Sequence, residues 1–288
     1  VTIGEALRRA AARLAAMSDT ARLDAELLMA HALGCTRTDL LLRHMAASVP
    51  EGFAALVERR ARHEPVAYIT GSAAFYGLEL EVSPAVLIPR GDSETLIDAA
   101  RAAFAGRPAP ARILDLGTGS GALLLAALSL WPDAEGIGLE RSPAAIGVAR
   151  ANGARLAPAA RFIEGDWTMP GWAAGIGRFD LVLSNPPYVE TGAELERSVR
   201  GFEPAEALFA GPDGLDDYRR LIPQVPGLLA ENGSAVIEIG WTQGAAVAEL
   251  ARACGMAPRI HRDLGGRERA VEMAVPANIP LGKQAVAD

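Results

Sequence analysis

LDLGTGSG, residues 114–121, decides the fold of this chain. The short apolar run ARILDL gives way to glycines at 117, 119 and 121. An apolar, alanine- and leucine-rich run, ALLLAALSL, follows at once. Strand, glycine turn and helix in that order open a βαβ unit. Glycines at such a turn let the backbone approach a ligand at a helix N-terminus. By itself the turn is compatible with a tight connection or with a dinucleotide site. Its spacing, GxGxG rather than GxGxxG, departs from the pyrophosphate pattern and suits a ligand without phosphate.

The alternation continues toward the C-terminus. GIGLE, RFIEGD, FDLVLSN and SAVIEIG read as strands. PAAIGVARANGARL and TQGAAVAELARACG read as helices, and LDDYRRLIPQVPGLLA as a helix interrupted by Pro223 and Pro226. RIHRDL and AVEMAV have no helix between them, so an antiparallel pair is expected. The pattern predicts an α/β fold, a mostly parallel sheet with helices on both faces. Toward the N-terminus the period changes. Ile3, Leu7, Ala10 and Leu14, then Leu23, Leu27, Leu28 and Ala30, recur at helical spacing. Ser18, Asp19 and Thr20 supply capping types before the second helix, and Gly34 a C-cap. TRTDLLLRH and EGFAALVERRARH add short helices. The expected organisation is a small helical bundle over residues 1–64 and a β-hairpin linker over 65–90. An α/β domain over 91–276, entered by a helix capped at Asp92 or Ser93, and a tail over 277–288 complete it.

Composition bounds the partners. The chain has 288 residues, half of them hydrophobic, and a net charge of −7. Such a balance argues against gripping bare nucleic acid through its phosphates, so no direct nucleic-acid binding is expected. Two distant cysteines, Cys35 and Cys254, and four scattered histidines offer no metal-ligand spacing. No apolar run is long enough for a membrane span, and the first residues are too charged and periodic for a signal peptide. The expectation is a cytoplasmic protein, monomeric and without metal.

Three further strand ends carry chemistry. Glu140 closes GIGLE, where a carboxylate takes ribose hydroxyls. Asp166 and Trp167 follow the next strand, offering an acceptor for an adenine amino group and a stacking face. These positions describe a nucleoside without pyrophosphate, which S-adenosylmethionine fits better than NAD. The fourth strand stops in SNPPY, because proline cannot donate to a β-ladder. Asn185 and the Pro186 carbonyl offer two acceptors for the hydrogens of a planar amino group. Pro186 and Pro187 fix their direction, and Tyr188 packs on the planar group.

NPPY after a strand, preceded by DLGTGSG, resembles methyltransferases that act on planar nitrogens, both DNA adenine-N6 and protein glutamine-N5 enzymes. RLDAELLMAHALG, EPVAYITGSAAFYGLELEVSPAVLIPR, FEPAEALFAGPDGLDDYRRLI, EIGWTQGAAV and RDLGGRERAV extend the resemblance from about residue 5 to 275. Together they resemble the release factor glutamine methyltransferase family. That resemblance implies a Rossmann-like, seven-stranded S-adenosylmethionine-dependent methyltransferase. Its implied substrate is the glutamine of the Gly-Gly-Gln motif in class 1 peptide-chain release factors, its effect a modulation of translation termination. The implied cofactor site is Gly117, Thr118, Gly119, Ser120, Gly121, Glu140, Trp167 and Asn185. The implied substrate site is Asn185, Pro186, Pro187 and Tyr188, with Asn185, Pro186 and Tyr188 catalytic. Two positions depart from the family pattern. Gly91 stands in PRGDSE, between Arg90 and Glu94, where a proline is usual, and Glu140 stands where aspartate is frequent. A DNA enzyme would need a target-recognition element and a basic groove; the sequence has no aromatic-basic insertion and its net charge is negative. A ribosomal-protein glutamine methyltransferase shares the catalytic half, and the N-terminal bundle pattern favours the release-factor enzyme. A binding module without catalysis would not need both sets of residues.

Overall fold

Helix Ile3–Leu14 begins where a capping box places it. Thr2 Oγ1 accepts from the Glu5 backbone N–H, and Glu5 Oε2 accepts from the Thr2 N–H. Helix Ala21–Leu33 follows and ends at Gly34, in the left-handed conformation. The expected cap takes another form. Thr20 occupies the cap position without a capping bond, and the Ser18 and Thr20 hydroxyls instead donate to Asp24. The buried arc of this helix is Ala21, Ala25, Leu28 and Met29. Leu23 and Leu27, expected inside, lie on its outer face, since one helix cannot turn both arcs inward. Arg37–Asp39 runs into a wide π-type turn, Leu40–His44, and helix Phe53–Ala61 completes the bundle.

The computed structural model describes residues 1–276, so the expected tail at 277–288 lies outside the described residues. The chain divides into two compact units. One comprises residues 1–73, 82–84 and 194–203, and the other the remaining segments. Val66–Thr70, expected in the hairpin linker, is a short helix. Pro65 starts it, Gly71 ends it in the left-handed region, and Ile69 packs into the bundle core. Tertiary burial overrides the β preference of Val66, Tyr68 and Ile69. The hairpin itself is shorter, β1 (Ser72–Phe75) paired with β2 (Leu78–Glu81).

In the second unit, a 3₁₀ turn over Gly91–Ser93 leads into helix Glu94–Ala103. Ser93 stands at its N-cap without a capping bond. The strands are β3 (Arg112–Leu116), β4 (Glu135–Glu140), β5 (Arg161–Glu164), β6 (Phe179–Ser184), β7 (Leu229–Glu238), β8 (Ala257–Arg262) and β9 (Glu268–Ala274). They form one sheet in the order β5-β4-β3-β6-β7-β9-β8. The first five are mutually parallel, and β9 runs antiparallel to β7 and β8. The antiparallel pair appears as expected, and β9 enters the sheet between its hairpin partner and β7. Helices Asp216–Leu221 and Val225–Leu228 are separated by a 3₁₀ turn at Pro223, the interruption that the prolines predict.

Side-chain alternation builds two cores. Ile113, Leu181, Leu183 and Val236 face helices Glu94–Ala103 and Ala122–Leu130. Leu114, Leu116, Val182, Ala235 and Ile237 face Tyr218, Leu221, Val225 and Val247. A parallel sheet covered on both faces has this apolar character along every strand. Successive connections leave β3 in one direction and reach β6 in the other, so β3/β6 is the switch point where open α/β sheets bind ligands.

Candidate active site

The backbone after β3 turns through Gly117, Gly119 and Gly121, all at positive φ, before helix Ala122–Leu130. The Gly117 and Thr118 N–H groups donate to Leu139 O on β4, at 2.9 and 3.0 Å. A Cβ on Gly117 would stand 3.1 Å from Trp167 Cη2, so this glycine lets the indole close onto the turn. Asn152, fully buried, secures the turn from below. Its amide donates to Ser120 O and Glu81 O, both at 2.9 Å, and accepts from Glu81 N at 2.7 Å.

Glu140 lies at the end of β4 beside the turn. Its Oε2 accepts from Gly119 N at 3.0 Å, and its Oε1 from the N–H groups of Arg141 and Ser142 at 2.8 and 3.0 Å. Three backbone donors thus aim one carboxylate. Asp115 is buried behind it, accepting from Thr118 Oγ1 at 2.5 Å. Burial pushes the Asp115 carboxyl up to about 7, the Glu140 charge adding to the push and the Thr118 hydroxyl opposing it. At the end of β5, burial works to raise Asp166, but bonds from Thr168 and the charges of Arg141 and Arg220 hold it below the ordinary carboxylate range.

β6 ends in Ser184, whose hydroxyl donates to Leu116 O at 2.8 Å and ties the two strand ends together. The next residue, Asn185, is partly exposed, and its side-chain amide has no hydrogen-bond partner among the described residues. The Tyr188 hydroxyl donates to Glu238 Oε1 at 3.2 Å. Burial and the Glu238 charge push the Tyr188 phenol well up. Glu238 is itself buried. Burial raises its carboxyl to about 7 against the pull of Ser93, Arg269 and Tyr188.

One cleft of about 980 Å³, open mouth included, joins these parts. Of the residues predicted from sequence, Gly117, Thr118, Gly119, Ser120, Glu140, Asp166, Trp167, Asn185 and Pro187 line it. Gly121, Pro186 and Tyr188 lie outside its wall. Gly121 packs on Leu125 and Phe162, Pro186 is buried, and Tyr188 turns toward Glu238. Ser142 and Asp217 also line the cleft and were not singled out from sequence, and Ser93, read there only as a helix cap, lines it too. Asp115 was legible inside the glycine motif, and Glu238 ends a strand as Glu140 does. Asp217 carries no local signal.

The cleft fits a nucleoside cofactor without phosphate. A Cβ on Gly119 would meet nothing nearer than Gly117 O at 4.0 Å, a backbone-held carboxylate stands at the second strand, and the glycine turn carries no lysine or arginine. Among the described residues, no group of three or more histidine, cysteine, aspartate and glutamate side chains is placed to hold a metal ion. No described helix is long and apolar enough to cross a membrane. A seven-stranded sheet with β9 reversed and this cleft at its switch point define an S-adenosylmethionine-dependent methyltransferase. Comparison with known proteins narrows the class. A methyltransferase domain model matches residues 109–265, and a PrmC N-terminal domain model matches residues 5–71. The release factor glutamine methyltransferase of Rhodospirillum rubrum is 42% identical over 93% of this chain and 84% of its own. That of Caulobacter vibrioides is 41% identical over 88% of this chain and 89% of its own. A methyltransferase structure from Pyrococcus furiosus shares the fold, with a TM-score of 0.50 at 18% identity over 75% of this chain and 97% of its own. The chain belongs to the release factor glutamine methyltransferase family.

Proposed function

We propose that this protein methylates the side-chain amide nitrogen, N5, of the glutamine in the Gly-Gly-Gln motif of class 1 peptide-chain release factors, and so modulates translation termination. S-adenosylmethionine, when bound, supplies an electrophilic methyl group on a sulfonium. The observation that carries the reading is Asn185. Its unengaged amide lines the same cleft as the glycine turn and Glu140, on a strand end that two prolines stiffen.

An amide nitrogen is a poor nucleophile because resonance draws its lone pair into the carbonyl. Asn185 Oδ1 and Pro186 O accept its two hydrogens and hold the nitrogen in one orientation. Pro187 restricts the segment, and Tyr188 packs against the planar group with its hydroxyl anchored on Glu238. The nitrogen would take the methyl group as the carbon–sulfur bond breaks to leave a neutral thioether, and would release one hydrogen as a proton to solvent, so positioning and electrostatics carry most of the catalysis. Glu140 holds the ribose hydroxyls, Gly117 to Gly121 approach the cofactor through their backbone, and Trp167 offers its ring to the adenine. The N-terminal bundle docks the body of the release factor, supplying binding energy remote from the reacting amide.

The test is methyl transfer from labelled S-adenosylmethionine to purified release factor, ribosomal protein and DNA in parallel. Label confined to the release factor, and lost when its Gly-Gly-Gln glutamine is replaced, is the expected result. Label on ribosomal protein or DNA alone overturns the proposal.

A further inference from the structure

We propose that Gln243, outside the cleft wall, is a positioning residue for methyl transfer. It acts by holding the Tyr188 carbonyl and through it the Asn185–Tyr188 segment. The proposal rests on the amide-binding role given above to that segment. Gln243 occupies the N-cap of helix Gly244–Ala253, yet its side chain makes no capping bond there. Its Nε2 donates to Tyr188 O at 3.0 Å and to Gly214 O at 3.2 Å. Its Oε1 accepts from Gly240 N at 2.9 Å. The orientation of the amide is set by these partners, since the reversed amide would face two carbonyls with an oxygen and an N–H with an NH₂.

The surroundings are shaped around this contact. A Cβ on Gly214 would stand 2.4 Å from Tyr188 O and 2.7 Å from Gln243 Nε2. A Cβ on Gly240 would stand 2.8 Å from Gln243 Oε1. No larger residue fits at either position without moving the amide or the carbonyl it holds.

The reason such a clamp is needed lies in Asn-Pro-Pro-Tyr. Two prolines remove two backbone N–H groups, so the segment offers mainly acceptors to its surroundings. The Tyr188 hydroxyl is held by Glu238, and Val189 pairs with Leu208 O and Ala210 N. Gln243 supplies the donor that holds the carbonyl between these anchors. Slack there would displace Asn185 and Pro186 together, without touching the glycine turn or Glu140.

The experiment uses full-length Gln243→Ala and Gln243→Glu, with Asn185→Ala alongside. Release factor methylation gives kcat and KM, and calorimetry gives the S-adenosylmethionine affinity. Both Gln243 variants are expected to lose on the order of 10- to 100-fold in kcat, the scale of a small misplacement of reacting groups. KM and cofactor affinity should stay within about threefold of the unaltered protein. Gln243→Glu should recover relative kcat as pH falls, because a protonated carboxyl can again donate to Tyr188 O. Should Gln243→Ala fail to fold, that pH profile decides, and a profile parallel to the unaltered protein overturns the proposal. Unchanged kcat, a matching loss of cofactor affinity, or failure of both variants to fold also overturns it. An inactive Asn185→Ala beside active Gln243 variants sinks the positioning role alone. An active Asn185→Ala sinks the amide-binding reading beneath it.

Discussion

In the proposed reaction the chemistry turns on Asn185, whose amide is left free while its neighbours Ser184 and Tyr188 are both tied down. Replacing it with alanine should cost on the order of 100-fold or more in turnover, as loss of a transition-state hydrogen bond does. Cofactor affinity, measured in the same preparation, should hardly change, and turnover within a few-fold of the unaltered protein would refute the role. Glu140→Ala should act on the other side of the cleft. A hydrogen bond to a charged group contributes about 1.5–3 kcal/mol, so S-adenosylmethionine affinity should fall roughly 10- to 100-fold. Calorimetry that finds no change would reduce Glu140 to a strand-end charge. Glu238 makes a prediction in pH. Its carboxyl binds a proton more tightly in the folded protein, about 7, than at the ordinary 4.5. The stability this provides is fully present below 4.5 and lost as pH rises through about 7. Glu238→Gln cannot ionise, so its melting temperature should gain on the unaltered protein as pH climbs through that window. A constant gap in thermal unfolding would contradict this.

At the scale of elements, the glycine turn depends on a partner far along the chain. Asn152 joins the turn at Ser120 to strand β2 at Glu81 with three bonds, from a fully buried position. Asn152→Ala leaves those backbone groups without partners, which should cost on the order of 3 kcal/mol. The measurement is chemical denaturation, and a loss below about 1 kcal/mol would mean that water replaces the amide. The same dependence on context explains Val66–Thr70. β-Forming side chains became a helical turn because Ile69 had a bundle core to enter. It also explains Leu23 and Leu27, which match the helical period but sit on the arc away from that core.

For the whole molecule, the two units carry separate cores. Ile69 and Val66 pack with the first unit, so a cut at residue 64 would strand them. A truncation lacking residues 1–71 is therefore the proper test of docking. It should bind S-adenosylmethionine largely as before and methylate intact release factor poorly. Full activity from a folded truncation would refute docking, and loss of cofactor binding would assign the bundle a stabilising role instead. Both assays are needed, since either alone leaves stability and docking confounded.

The class of fold, the parallel strands, the reversed final pair, the proline interruption and the glycine turn with the strand-end residues Glu140, Asp166 and Asn185 were legible in the order of the residues. Period-two and helical apolar spacing, glycine turns and strand-end polar residues are local signals, and each survives in a single string of letters. The tertiary structure alone decided where β9 enters the sheet, that Tyr188 turns to Glu238, that Asn152 clips the hairpin to the glycine turn, and that Gln243 reaches Tyr188. The partners in these last three contacts stand 50, 71 and 55 positions apart. Contacts of that kind have no period and no flanking cue. They exist because two packed cores bring distant backbone groups out of water together, and each such group then takes the partner that packing places in reach.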